Sequence, residues 1–454
     1  MPRPRLPRLW RRGSDMTVPD PGPPGAAQPG PRRSAAGGSS ADAPQAGLAR
    51  RLGVGDAVVI GLGSMVGAGV FAVWSPAAQA AGSWLLLGLA IAAVVAYCNA
   101  ASSAQLAAVY PVSGGTYIYG RERLGEWWGF AAGWCFVIGK TASCAAMALT
   151  FATYATDVGW LRRLIALAAV IALAAVNYRG VTRTARLTRI LVTCTLIVLA
   201  VVLVVLFAGE PQHHTSASTS VYGVLQSAGL LFFAFAGYAR IATMGEEVRE
   251  PARTIPRAIT VAVVIAIGIY LLVALALLRT GDPASTTAPL ASAVDGVGAA
   301  WATPIVRIGA ALASLGALLA LIAGIGRTTL AMARNQDLPT WLAAVHPRYQ
   351  VPHHAELALA AVVGVLVLTT DLRGVIGFSS FGVLLYYAIA NASAFTQPAD
   401  QRRWPRAVNV IGLTGCVVLA VTLPWTSAVV AAALLAAALL VRRFRTGRAG
   451  SARN

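Results

Sequence analysis

Apolar runs long enough to cross the ~30 Å hydrocarbon core of a bilayer recur along almost the whole chain, and no other feature limits its fold so tightly. Twelve are read, at about 54–74, 83–108, 126–156, 160–178, 187–208, 221–245, 257–279, 303–334, 355–370, 372–395, 406–422 and 425–442. Lipid offers the backbone no water, so only helices and closed barrels can span it. These runs lack the alternation of barrel strands. The sequence therefore predicts an all-α integral membrane protein of about twelve transmembrane helices. Composition agrees. Only 12% of the 454 residues are charged and 57% are hydrophobic, whereas a soluble domain carries roughly 25% charged residues.

The net charge of +19 reads as orientation rather than as affinity for nucleic acid. With the N-terminus in the cytosol, 29 of the 36 basic residues face inward and five outward, leaving Lys140 and Arg240 within the spans. That is the positive-inside pattern. The short loops carry it without the tails, through Arg179, Arg183, Arg186 and Arg189 and again through Arg402, Arg403 and Arg406. A multi-pass protein of the plasma membrane with both termini cytosolic is expected. Residues 1–50, rich in Pro, Gly, Ala, Ser and Arg, read as a disordered cytosolic tail. They hold no apolar stretch of the signal-peptide kind. The five cysteines fall within apolar segments, and none forms a C-x-x-C pair. They read as small core residues. His213, His214, His346, His353 and His354 fall in predicted loops, and no metal site or cofactor is expected.

Two spans are interrupted by glycine: "GLGSMVGAGVF" at 61–71 and "LLFFAFAGYARIATMGEEV" at 230–248. They open two consecutive blocks of five spans. Because five is odd, the second block enters the membrane from the opposite side. Glycine-broken helices at matching positions of inverted halves point to a transport site. Glycine leaves helical geometry at little steric cost, and unwinding at Gly67, Ala68 and Gly69 frees N–H groups that suit a carboxylate. Unwinding around Ala234, Phe235, Ala236 and Gly237 exposes carbonyls that suit an ammonium. Together the breaks make a receptor for a zwitterion. Taken singly, either glycine cluster reads equally well as a close-packing surface between helices.

Lys140, the one lysine of the chain, lies about 14 residues into span 3, roughly 21 Å along a helix rising 1.5 Å per residue. A charge at mid-membrane normally faces a bundle interior or wet cavity and marks a pathway. A buried amine can load and release a proton near neutral pH, whereas an arginine stays charged. The "GKT" it opens is not a phosphate loop. Five residues separate Gly133 from Gly139, and the preceding strand such a loop requires is missing.

In combination, "GSMVGAGVF", "YPVSGGTYIYGRERLG", "FFAFAGYARIATMGEEVREPARTIPRAI" and "GRTTLAMARNQDLP" resemble the amino acid–polyamine–organocation superfamily of permeases, over about residues 50–445. The resemblance implies a five-plus-five inverted repeat of the leucine-transporter type, with discontinuous helices 1 and 6 and two C-terminal helices added. The chain then divides into a tail (1–50), a ten-helix transport core (51–396), two further helices (397–445) and a C-terminal tail (446–454). It also implies that the span 1 break holds the substrate carboxylate on Gly67, Ala68 and Gly69, with Ser64, Met65 and Val66 beside them as further substrate-binding residues. The span 6 break, Phe233, Ala234, Phe235 and Ala236, holds its amine, and Phe235 or Tyr238 serves as an aromatic gate.

Some proton-coupled members carry a lysine in span 5, where Thr195 stands here. Many have a glutamate in span 3 after a Gly-Trp pair, where Gly133-Trp134 is followed by Lys140. Three readings of Lys140 stay open: a proton-coupling group, a fixed cation in place of Na⁺, and a hydrogen-bond donor to a broken helix. Glu246 or Glu247 is read as an inner-gate partner of Arg121, Arg123 or Arg240, against a plain solvated charged loop. Apart from Asp56, Glu126, Glu246 and Glu247 at helix ends, no carboxylate is read within a span. This disfavours cationic substrates and favours neutral amino acids. The expected activity is secondary transport of an amino acid by alternating access with H⁺ as coupling ion. An exchanger, a Na⁺-coupled carrier or a sensor built on a carrier fold are the alternatives. No catalytic constellation argues for an enzyme.

Overall fold

The computed structural model describes residues 52–111, 114–179, 184–211, 220–244 and 248–451, side chains of 184–188 and 445–451 excepted. The basic tail of residues 1–50, His213, His214, Glu246 and Glu247 lie outside the described residues. In chain order the helices are α1 (Val54–Met65), α2 (Gly69–Ala72), α3 (Trp74–Ala81), α4 (Leu85–Val109), α5 (Thr116–Leu124), α6 (Glu126–Ala155), α7 (Gly159–Tyr178), α8 (Thr184–Ala208), α9 (Val221–Phe235), α10 (Ala239–Ala242), α11 (Pro251–Thr280), α12 (Pro289–Gly296), α13 (Thr303–Arg334), α14 (His353–Thr369), α15 (Leu372–Phe395), α16 (Arg406–Thr422) and α17 (Trp425–Ser451). Among the described residues, ten helical segments are long and apolar enough to cross a membrane. The shorter apolar helices α14 and α16 fall where the ninth and eleventh spans are predicted. At 17 residues each they reach about 25 Å at 1.5 Å per residue.

Three boundaries differ from the sequence reading. The first span does not end near residue 74. Val73 N donates to Gly69 O and Ala77 N to Val73 O, so the helix continues through α3 to Ala81. Gly82, at φ 51°, then turns the chain in a conformation open to glycine. The low hydropathy of "SPAAQAAG" hides this continuation, and Pro76, which has no N–H to give back along the helix, follows closely on Val73, the irregular residue between α2 and α3. Secondly, α17 runs on to Ser451, past the expected end at 442; arginine is a good helix former and can reach an interface from a helix end. Thirdly, His353 and His354 open α14 instead of lying in a loop, with the His346 ring 5.4 Å from that of His353.

Exposed tryptophans mark two rims. Trp84, Trp160, Trp301 and Trp425 stand at or next to the starts of the second, fourth, eighth and twelfth spans, which all open on one face. Trp127, Trp128 and Trp341 occupy the other. Indole rings favour both membrane–water interfaces. In the interior, α6 crosses α15 at paired glycines. A Cβ on Gly382 would lie 2.8 Å from Cys135 O and 3.0 Å from Gly139 Cα. Small residues permit this backbone approach, and it seats Lys140, one residue on, in the core of the bundle.

Candidate functional site

The first span leaves helical order after Met65 and resumes at Gly69. Val66 N still closes on Leu62 O at 2.7 Å. Among the described residues, the amides of Gly67, Ala68 and Gly69 donate to no acceptor. These are the donors expected for a carboxylate. Val66 and Ala68 are each 1% exposed, so the donors are sequestered from bulk water. The Ser64 hydroxyl is spent on Ile60 O at 3.0 Å.

The sixth span is interrupted more gently. After Phe235 one 3₁₀ turn, Ala236–Tyr238, leads into α10. Its loosened carbonyls are engaged by the protein itself. The Tyr270 hydroxyl of α11 lies 2.7 Å from Met65 O and 3.0 Å from Ala234 O, so its single proton is shared between one carbonyl of each break. Lys140 Nζ donates to Ala236 O at 3.1 Å, and Tyr387 of α15 reaches the same oxygen at 3.4 Å. Lys140 is 7% exposed, and no described carboxylate pairs with it.

The breaks touch. A Cβ on Gly237 would meet Ser64 C and O at 2.3 Å, and one on Gly69 would meet Ala234 Cα at 2.8 Å. Glycine is thus required twice where the interrupted segments cross, so close packing and interruption are properties of the same residues. Aromatic rings enclose the crossing. Phe235 stands edge-on to Tyr270 (4.8 Å), Phe71 to Tyr154 (5.7 Å), and Tyr238 stacks on Tyr387 (4.9 Å). Phe233 and Tyr238 are buried with them. Thr195 of α8 is buried and donates to Leu191 O at 2.8 Å.

At the end of the bundle that carries the basic loops, Tyr117, Gly133, Phe136, Thr243, Thr328 and Tyr386 line a narrow cleft with no room for a water molecule. Arg121 pairs there with Glu126 at 2.8 Å and lies 3.9 Å from Asp337. Arg123 donates to Thr396. Arg240 is half-buried, its guanidinium about 4 Å from where a Cβ on Gly324 would sit. Tyr117 donates to Asp337 Oδ2 at 2.7 Å, and burial, then that carboxylate, hold its hydroxyl above the ordinary tyrosine range.

The expectation of no carboxylate within a span beyond the four named is corrected by Glu356. It lies in the first turn of α14 and is 4% exposed. It packs beside Gly326 at the basic end of the bundle, remote in sequence and setting from the breaks. Sequence reading also missed Tyr270 and Tyr387. Tyr270 is visible as the only aromatic in a run of aliphatics, "AIGIYLLVALALL". The Asp337–Tyr117 contact joins residues 220 apart and leaves no local signal.

Apolar helices in this order, with two apposed interruptions at a buried centre, define a multi-pass membrane transporter. The chain belongs to the amino acid permease family, whose model matches residues 52–444. It is 59% identical over 412 residues to an uncharacterized transporter of Mycobacterium tuberculosis, covering 88% of this chain and 93% of that one. It is 30% identical to cationic amino acid transporter 4 of Homo sapiens, over 76% of this chain and 59% of the relative. It is 25% identical to the branched-chain amino acid permease BcaP of Bacillus subtilis, over 84% and 90%. The protein's activity is amino acid transport, not enzymatic catalysis.

Proposed function

We propose that this permease is a secondary carrier that moves a neutral amino acid across the plasma membrane by alternating access, driven by protons through Lys140. Residues 51–396 form the inverted-repeat transport core, and the two helices of 397–445 flank it. The substrate carboxylate binds the amides of Gly67, Ala68 and Gly69. Its ammonium competes for the carbonyls of Ala234 and Ala236. One observation carries the reading: the only lysine of the chain sits with its ammonium on Ala236 O, at the interruption of span 6.

A hydrogen bond from an ionised donor is roughly twice as strong as a neutral one. Protonated Lys140 therefore holds the break of span 6 firmly, and loss of its proton loosens that hold. Proton and substrate thus act on the same carbonyl, which is the physical requirement for coupling their movements. A cationic side chain would meet the lysine ammonium with no described carboxylate beside the breaks to receive it. This favours neutral substrates over the cationic ones named for the human relative.

The test is uptake into proteoliposomes of a panel of labelled amino acids, under imposed pH and Na⁺ gradients. Saturable uptake of neutral amino acids, driven by an inward proton gradient, is expected. Lys140→Gln should abolish the response to that gradient, and Lys140→Arg should not restore it. Unchanged pH dependence in Lys140→Gln removes the coupling role. Uptake following Na⁺ alone, or only in exchange for internal amino acid, replaces the mechanism. Binding without uptake makes the protein a sensor.

A further inference from the structure

The last helix, α17, lies outside the ten-helix core, yet its Arg442 reaches the cytosolic exit. Arg442 forms an ion pair with Asp337, in the turn after α13, and lies 3.8 Å from Glu126 at the start of α6. Its guanidinium packs over the rings of Phe130 (4.7 Å) and Trp127 (5.4 Å). The Asp337 and Arg442 side chains are only 5% and 11% exposed. On its other oxygen Asp337 accepts from the Tyr117 hydroxyl, which also accepts from Asn335 Nδ2 at 2.9 Å. Tyr117 is 2% exposed and forms part of the wall of the narrow cleft at this end of the bundle.

We infer that Asp337 is the bolt of the cytosolic exit. Tyr117 is the part of the gate it holds, and Arg442 of the last helix keeps the bolt in place. The inference rests on the alternating-access reading. A carboxylate this buried is stable only while its charge is matched, and removing one partner of a buried pair leaves an uncompensated charge. Opening the exit would carry Tyr117 away from α13 and expose Asp337 to water, which supplies the lost partner. Arg442 therefore favours the closed exit by stabilising Asp337 in its dry position. The same contact makes α17 a part of the gating machinery. Arg121, 3.9 Å from Asp337 and itself paired to Glu126, adds a second, more exposed positive charge to the same carboxylate.

The experiment reads access, not uptake. Thr328→Cys places a thiol in the cleft, and its modification by a membrane-impermeant maleimide is followed in inside-out vesicles by mass spectrometry of that peptide. Four of the five native cysteines are buried and the fifth, Cys194, is half-buried on α8, so the peptide readout separates the new thiol from them. Arg442→Gln and Asp337→Asn should each raise the labelling rate about fivefold or more, the order of a typical coupling between two sites. Arg442→Lys, which keeps the positive charge beside Asp337 and Glu126, should label near the parent's rate, and it separates loss of the charge from a variant that merely misfolds. Labelling close to the parent's in both single variants, or Arg442→Lys labelling as fast as Arg442→Gln, overturns the inference. The rate does not depend on which solute is carried. A protein that labels as expected but transports nothing therefore refutes the carrier reading and leaves the bolt standing.

Discussion

Gly237 is the residue on which the meeting of the two interrupted spans depends. A Cβ there would fall 2.3 Å from the Ser64 carbonyl and 2.5 Å from Met65 N. Those are backbone atoms and cannot swing aside as a side-chain end could. Gly237→Ala must therefore push the spans apart, at the ~1–3 kcal/mol typical of overpacking. A lower unfolding temperature in detergent and loss of uptake are expected. Gly268 on α11 is the control, since a Cβ there meets nothing within 4 Å. Gly268→Ala should leave uptake intact and raise stability by about 0.5–1 kcal/mol, the usual gain from replacing glycine inside a helix. If the two variants lose uptake equally, the close approach at Gly237 is not what the site depends on.

At the scale of elements, a third helix also ties the two interruptions together. The Tyr270 hydroxyl of α11 shares its proton between a carbonyl of each break, at 2.7 and 3.0 Å, while its ring packs on Phe235 and Trp74. Tyr270→Phe keeps the ring and removes the one proton that the two buried carbonyls share, at about 1 kcal/mol in all. Amide hydrogen exchange should then quicken at both breaks, around 64–72 and 232–242, and remain unchanged in α16. Acceleration confined to one break would show that the hydroxyl does not join them. The contrast between the two breaks also explains what the sequence made legible. Gly67 and Gly69 announce an interruption because only glycine is cheap there, and the structure leaves their amides without acceptors. The span 6 break was legible in place but not in degree. It is one 3₁₀ turn, with Ala236 O served by Lys140 and Tyr387 and Ala234 O, just before the turn, by Tyr270, and those partners come from helices distant in sequence. Spans were legible because lipid forces every backbone group into a helix. Pairings such as Tyr117–Asp337 and Arg442–Asp337 were not, since spacing says nothing of which helix ends meet. Glu356 was overlooked because a single carboxylate at the start of an apolar run resembles a solvated helix end until its burial is seen.

For the whole molecule, charge and tryptophan make independent statements about orientation. The tryptophans mark two rims without saying which is inner. The basic residues break that symmetry. The cluster at Arg402, Arg403 and Arg406, the arginine of the turn at 344–352, and Arg442 and Arg443 share the rim of Trp127, Trp128 and Trp341. Positive residues are retained in the cytosol during insertion, so this rim should be cytosolic, with both ends of an even-numbered bundle on that side. Single cysteines can decide it. Ser285 and Gln350 are exposed in loops on opposite rims. In intact cells Ser285→Cys should react with an impermeant maleimide, and Gln350→Cys should react only after the membrane is opened. The reverse pattern would place the Tyr117–Asp337–Arg442 assembly at the outer mouth, and the bolt inferred for the cytosolic exit would then guard entry. Equal labelling of both sites would mean that the chain inserts in two orientations, which the concentration of positive charge on one rim should prevent.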